Sequence, residues 1–302
     1  MKHVGSYRLL WKTDELRKRQ AAAWDRLNAC DLCGHICGVN RLAGQTGICK
    51  ADDTVQISSW GPHFGEEAPL VGAQGSGTIF FTGCNLRCVF CQNWDISQMR
   101  MGRTVSETEL ARVMLSLQKT GCHNINLVTP THYVPQILGA LITACENGLR
   151  LPLVYNCGGY ESVETLKILD GIVDIYMPDV KYAGAEPALR FSRAKDYPSV
   201  VKSALKEMHR QVGDLIVDDS GIACRGLLIR HLVLPEGLAG TEEIVRFIAD
   251  EISRDTYINI MDQYRPAYHS QDYPPLNRRT TSHEHKEAVH MAQNAGLHRF
   301  AR

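Results

Sequence analysis

Cys84, Cys88 and Cys91 fall within eight positions of one another in TGCNLRCVFCQNW, residues 82–94. Thiols at this density, in a chain whose cysteines read as reduced, point to metal ligation or catalysis more than to disulfides. A closed structural zinc takes four protein ligands, and a protein-held cubane cluster normally takes four thiolates. Three in one loop leave two readings: a fourth ligand brought from elsewhere, such as Cys122 or Cys157, or a coordination position kept open for chemistry. A second set, Cys30, Cys33, Cys37 and Cys49, has the spacing Cys-x2-Cys-x3-Cys-x11-Cys. Its four members suit a closed zinc site or a second [4Fe–4S] cluster, against the alternative of four free thiols in a folded lobe.

The elements that must position these residues show in the hydrophobic pattern. Short apolar runs at 78–82, 125–129, 151–156, 173–179, 227–235 and 257–263 alternate with helical patterns at 106–121, 134–148, 162–169, 186–213, 241–253 and 282–296. In the first helix Leu110, Val113, Met114 and Leu117 recur at helical spacing, behind Ser106 with Glu109 three residues on, a capping-box pattern. Six strand–helix units imply an α/β fold, a parallel sheet covered by helices. The polar and glycine-rich segments fall where strands end: the cysteine loop, TPTHY (129–133), NCGGYE (156–161), PDVKY (178–182), PEG (235–237) and DQYRP (262–266). In barrels that end carries the site. The reading is a partial (β/α)6 TIM-like barrel over 77–302, with a small cysteine-containing lobe over 1–76. Within that lobe a helix is expected at 13–28, and the Gly/Pro-interrupted stretch 60–77 is expected to be loop.

A Cys-x3-Cys-x2-Cys loop directly after a first barrel strand resembles the signature of the radical S-adenosylmethionine (SAM) superfamily. Within it, the likeness is to pyruvate formate-lyase activating enzymes and their uncharacterised PflX-like relatives. It is carried by CDLCGHICGVNRLAGQTGIC, GSGTIFFTGCNLRCVFCQNWDIS, TPTHY, PDVKY, RHLVLP and MDQYRP. The resemblance implies a [4Fe–4S] cluster on Cys84, Cys88 and Cys91, with SAM on the open iron. Its reductive cleavage gives a 5′-deoxyadenosyl radical that takes hydrogen from a substrate. It places Phe90 near the adenine and Lys181 of the Asp179-Val-Lys181 motif at the SAM carboxylate. Arg230 matches an arginine facing the site from the fifth strand. The family's Gly-Gly-Glu segment is replaced here by Thr129-Pro130-Thr131-His132, so Thr131 and His132 stand as cofactor-binding candidates, with helix entry the alternative for His132. Asn156 and Gly158-Gly159 suit a close approach to a ribose, or a plain glycine turn. Cys157 between them reads as packing, with a redox or radical-relay role as the alternative. Gln263, Tyr264 and Arg265 are expected near SAM or substrate, without assigned roles.

Three function readings follow. The first is activation of a glycyl-radical enzyme by hydrogen abstraction, with flavodoxin or ferredoxin as reductant. The second is radical modification of a different peptide or a small molecule. The third is a non-catalytic Fe–S or zinc protein. The chain has 302 residues, with 33 basic and 33 acidic side chains. That balance argues against a nucleic-acid or anionic-membrane coat. No run of apolar residues is long enough to span a bilayer and no secretory signal pattern opens the sequence, so the expectation is a cytoplasmic protein.

Overall fold

A computed structural model of the chain describes residues 4–301; the outermost residues of the two expected domains, 1–3 and 302, lie outside the described residues. Ten strands form one sheet: β1 (Val55–His63), β2 (Ser76–Phe81), β3 (Arg103–Val105), β4 (Ile125–Val128), β5 (Leu153–Cys157), β6 (Ile175–Pro178), β7 (Ile216–Val217), β8 (Ala223–Leu232), β9 (Tyr257–Met261) and β10 (Arg299–Phe300). Their order is β10-β9-β8-β6-β5-β4-β2-β1-β3, with β7 paired to β8. The six expected strands are β2, β4, β5, β6, β8 and β9, and every neighbouring pair among them is parallel. Among the described residues β2 and β9 do not pair, so the barrel stays open.

Each crossover carries an expected helix. Glu107–Thr120 follows β2, Val134–Glu146 follows β4 and Val163–Ile168 follows β5. Ala185–Ser192 and Tyr197–Val212 follow β6, Thr241–Phe247 follows β8 and Ser282–Asn294 follows β9. The first opens as its sequence requires: the Ser106 hydroxyl accepts from the Glu109 amide at 3.1 Å, while the Glu109 carboxylate accepts from the Ser106 amide at 2.8 Å.

Strand alternation divides the core in two. Ile125, Leu127, Leu153, Tyr155, Tyr176, Leu227, Ile229 and Ile258 face the helix layer. The residues between them, Val154, Ile175, Met177 and Leu228, pack inside the barrel around Leu70. Leu70 belongs to a short helix, Ala68–Val71, in the stretch expected to be loop. That expectation is corrected twice. Residues 55–63 form a strand antiparallel to β2, with His63 opposite Ser76, and the segment after it plugs the lumen. Gly61 and Pro62 disguise the strand, but there β1 pairs with β2 alone; its other partner, β3, reaches only Val55, Gln56 and Ile57. The helix expected at 13–28 is the α-helix Glu15–Asp25 closed by a 3-10 turn at Arg26–Ala29, and Asp14, whose φ is 61°, separates it from a further short helix, Tyr7–Lys12. A small separate core holds Leu27, Cys30 and Leu32, with Trp24, Cys37 and Val39 against it.

Candidate functional site

A cavity of about 380 Å³ opens where the parallel strands end. Cys84, Cys88 and Cys91 line it from the loop after β2; Asn156 from β5, Asp179 and Lys181 after β6, and Arg230 from β8 complete the wall. A larger cleft of about 600 Å³ lies between the Thr241–Phe247 and Ser282–Asn294 helices, but it has no thiol and sits outside the sheet. The chemistry therefore belongs to the strand ends.

Each thiol of the loop has a polar partner. The Leu86 amide donates to Cys84 Sγ at 3.3 Å, the Ser192 hydroxyl donates to Cys88 Sγ at 3.0 Å, and Cys91 Sγ shares a hydrogen with Ser97 Oγ at 3.1 Å. The end of the Ala185–Ser192 helix fixes the loop, taking amide bonds from Arg87 and Val89. Burial raises the Cys84 and Cys88 thiols, Cys88 to about 11, while Lys181 pulls both down. Sulfur ligands clustered on one wall, hydrogen-bonded and beside a cation, fit a cluster that binds as thiolate and thereby displaces their protons. Of the alternative fourth ligands, Cys122 packs against Gly77 at the opposite end of β2. Cys157 lines the same cavity but its thiol hydrogen-bonds Glu161.

Across the cavity runs a chain of charge. Asp179 accepts from Lys181 Nζ at 2.7 Å through one oxygen and from Arg230 Nε at 2.7 Å through the other. Arg230 also donates to Asn156 Oδ1 at 2.8 Å and reaches Glu66 at 3.4 Å. Burial opposes the Asp179 carboxylate, but Arg230 and Lys181 outweigh it and hold the group below the usual range. Burial pushes Glu66 the other way, with Arg230 only partly opposing. Tyr197 holds the turn: its hydroxyl faces the Gly158 and Asp179 carbonyls and accepts from the Lys181 amide at 2.9 Å.

The expected residues do not all meet there. Phe90 lines the cavity, edge-on to Tyr264 at 5.7 Å, and Gln263 lines it too, whereas Tyr264 is buried behind and Arg265 is exposed. Thr131 and His132 are corrected: neither is on the wall. Thr131 donates to the buried Glu161 at 2.9 Å. His132 Nε2 donates to the Thr82 carbonyl at 2.8 Å, and burial lowers the ring to about 3, so it supports the strand end that launches the cysteine loop. Gly158 and Gly159 serve packing: a Cβ would meet Leu86 at 2.7 Å in the first and the Asp179 carbonyl at 2.7 Å in the second. Sequence reasoning missed Glu66, which enters on the lumen plug with no periodic signal around it, Ser192, which sits far from any motif, and Ser97, which closes the quoted cysteine segment but was given no role. It also missed Glu161, although NCGGYE was singled out.

Comparison with known proteins agrees. The family model for the Radical SAM superfamily matches residues 78–220. An uncharacterized protein of Methanocaldococcus jannaschii, MJ0674, is 34% identical over 278 residues, covering 89% of this chain and 75% of its own. A second from that organism, MJ0808, is 24% identical over 281 residues, covering 85% and 78%. Among solved structures, a radical SAM methyltransferase from Sphaerobacter thermophilus superposes with a TM-score of 0.50 at 15% identity, over 74% of this chain and 66% of that one. Residues 78–220 carry a radical SAM domain, and that domain implies a [4Fe–4S] cluster and SAM. Among the described residues no helix is long and apolar enough to cross a membrane.

Proposed function

We propose that Cys84, Cys88 and Cys91 hold the cluster and that the chain uses SAM to abstract hydrogen from a substrate entering at the strand ends. The observation that carries this is three hydrogen-bonded thiols on one cavity wall facing an organised cationic network. Bound there, cluster and SAM supply one-electron cleavage of a sulfonium bond and a carbon radical. The protein's own groups do the rest. Lys181, lining the same cavity as the thiols and anchored by Asp179, presents an ammonium to a carboxylate. Arg230 and Asn156 give the opposite wall donors and an acceptor in fixed geometry. Phe90 shields the loop side, and the lumen plug closes the barrel from below, keeping a reactive intermediate from water. Asn156, Asp179 and Arg230 serve here as the cofactor-facing residues; Thr131 braces Glu161, and His132 braces the strand end before the cysteine loop.

Activation of a glycyl-radical enzyme is the narrower form of this proposal, resting on the resemblance of the quoted segments to activating enzymes, and flavodoxin or ferredoxin is its natural electron source. The anaerobic protein, reconstituted and reduced, should release 5′-deoxyadenosine and methionine from SAM, and Cys88→Ala should release neither. No cleavage by a fully loaded wild type would defeat the proposal. Candidate glycyl-radical enzymes added to the active mixture should acquire a glycyl radical signal; active SAM cleavage with no such signal would defeat only the narrower form.

A further inference from the structure

The second cysteine set has no part in the proposed reaction, yet the backbone gathers its four thiols around one buried cation. The Cys30 amide donates to the Val39 carbonyl at 3.0 Å and the Gly38 amide to the Cys30 carbonyl at 2.9 Å, closing a knuckle around Cys33 and Cys37. Burial raises the Cys33, Cys37 and Cys49 thiols, with the backbone amides of His35, Val39 and Ala51 opposing that rise in turn. Gly47 lies so near that a Cβ there would stand 2.5 Å from Cys37 Sγ, which brings the Cys49 turn onto the knuckle. Cys30 and Cys49 are within electrostatic reach of each other and of both Cys33 and Cys37.

Arg41 is the second, independent observation. It is fully buried, with 0% exposure. Its Nε and Nη2 donate to the Asp52 carbonyl, and Nη1 points at Cys30 Sγ from 4.0 Å. Among the described residues no carboxylate pairs with it. A buried guanidinium whose partners are a neutral carbonyl and a sulfur requires negative charge on the sulfur side. Zinc or a [4Fe–4S] cluster on four thiolates carries a net charge of about −2, which Arg41 partly neutralises.

We propose that Cys30, Cys33, Cys37 and Cys49 form a tetrathiolate metal site, with Arg41 as its buried counter-charge, that clamps the outer side of the 84–91 loop. Metal binding releases the thiol protons to solvent and leaves four metal–sulfur bonds. Among the described residues no three thiols already stand in ligation geometry, here or in the 84–91 loop, so closure in both places takes side-chain rotation. The clamp is visible in the backbone. The Gly34 amide donates to the Tyr160 carbonyl at 3.2 Å, His35 Nε2 donates to the Asn85 carbonyl at 2.7 Å, and Cys33 bridges Glu161. Asn85 follows Cys84 directly, and its amide returns to Tyr160 at 2.9 Å. On the other side the Cys49 carbonyl would stand 2.8 Å from a Cβ on Gly83, the residue before Cys84. One metal would therefore fix both approaches to the loop.

The test is metal and sulfide analysis of the full chain with Cys84, Cys88 and Cys91 all changed to alanine, which empties the other site. After separate reconstitution with zinc and with iron plus sulfide, it should hold about one zinc, or about four irons and four sulfides, per chain. Adding Cys33→Ser and Cys37→Ser should abolish that metal. Arg41→Gln should retain it about ten- to a hundredfold less tightly against a chelator. Should those variants misfold, the wild type still decides: a chelator strong enough to strip both sites should expose seven further thiols to a thiol reagent, three from the 84–91 loop and four from this site, and only three would overturn the site. No stoichiometric metal in the triple variant under either condition, metal that survives loss of Cys33 and Cys37, or an unchanged thiol count overturns the site. Because the triple variant has no 84–91 thiols, its result stands apart from the proposed SAM chemistry.

Discussion

Glu161 is a buried carboxyl with no cation, and that makes its ionisation measurable. Its oxygens accept from Thr131 Oγ1 at 2.9 Å and from the Tyr155 hydroxyl at 2.9 Å. Burial nevertheless raises the group from its ordinary 4.5 to about 7, those hydrogen bonds and that of Cys157 only partly opposing. A raised carboxyl costs stability as pH increases. Below the ordinary value both states are protonated; between the two values only the unfolded chain ionises, and above the upper one the cost is complete. At about 1.4 kcal/mol for each pH unit separating the values, the full cost is about 3 kcal/mol, of which about 2.5 kcal/mol falls between pH 5 and 8. Glu161→Gln cannot ionise and escapes that cost, although it gives up part of the bond from Tyr155. Melting temperatures of wild type and variant, at equal metal loading, should therefore diverge in the variant's favour by about 5 °C from pH 5 to pH 8, at about 2 °C per kcal/mol for a chain this long. Parallel curves over that range would refute the reasoning. They would mean that water or a counter-charge reaches the carboxyl.

Three further outcomes follow from the site. Asp179→Asn leaves Lys181 and Arg230 facing each other without their shared carboxylate, a loss of about 3 kcal/mol or about 6 °C in melting temperature. Because that carboxyl is held low, its contribution is full above the usual pKa of about 3.9 and fades as pH falls through the lower folded value, so the variant should flatten the acid limb; a gap that stays undiminished into acid would contradict this. Gly159→Ala must place a Cβ 2.7 Å from the Asp179 carbonyl at a φ of 75°, and should destabilise by about 2 kcal/mol in a denaturant melt. Ser192→Ala removes the hydroxyl on Cys88 Sγ and should make the cluster harder to reduce, by on the order of 40 mV for a bond worth about 1 kcal/mol, as read by redox titration.

The barrel was legible because its signals are local and repeated. Apolar runs with helical stretches between them mark a parallel sheet, and Ser106 with Glu109 marks a helix start in four residues. The three cysteines were equally plain, since ligand spacing within one loop survives in the linear sequence. What stayed hidden depends on residues far apart in the chain. β1 looks like loop because Gly61 and Pro62 break its pattern, and only its pairing with β2 makes it a strand. Glu66 acquires meaning only when the plug carries it to Arg230, 164 residues away. Thr131 and His132 sit at a strand end as expected but point into the core, because the 3-10 turn Thr131–Tyr133 rotates them toward Glu161 and Thr82. Asp179 and Lys181 were found as one motif and Arg230 separately; that Asp179 also reaches Arg230 is a fact of the β6–β8 register.

The most direct test of the central claim is electron paramagnetic resonance of the anaerobically reconstituted, dithionite-reduced protein, with and without SAM, beside Cys88→Ala. An open coordination position predicts a reduced-cluster signal in the wild type that shifts when SAM is added, and the loss of that signal in the variant. An intact cluster whose signal is indifferent to SAM would contradict the account, and the three thiols at the cavity would then belong to a closed metal site.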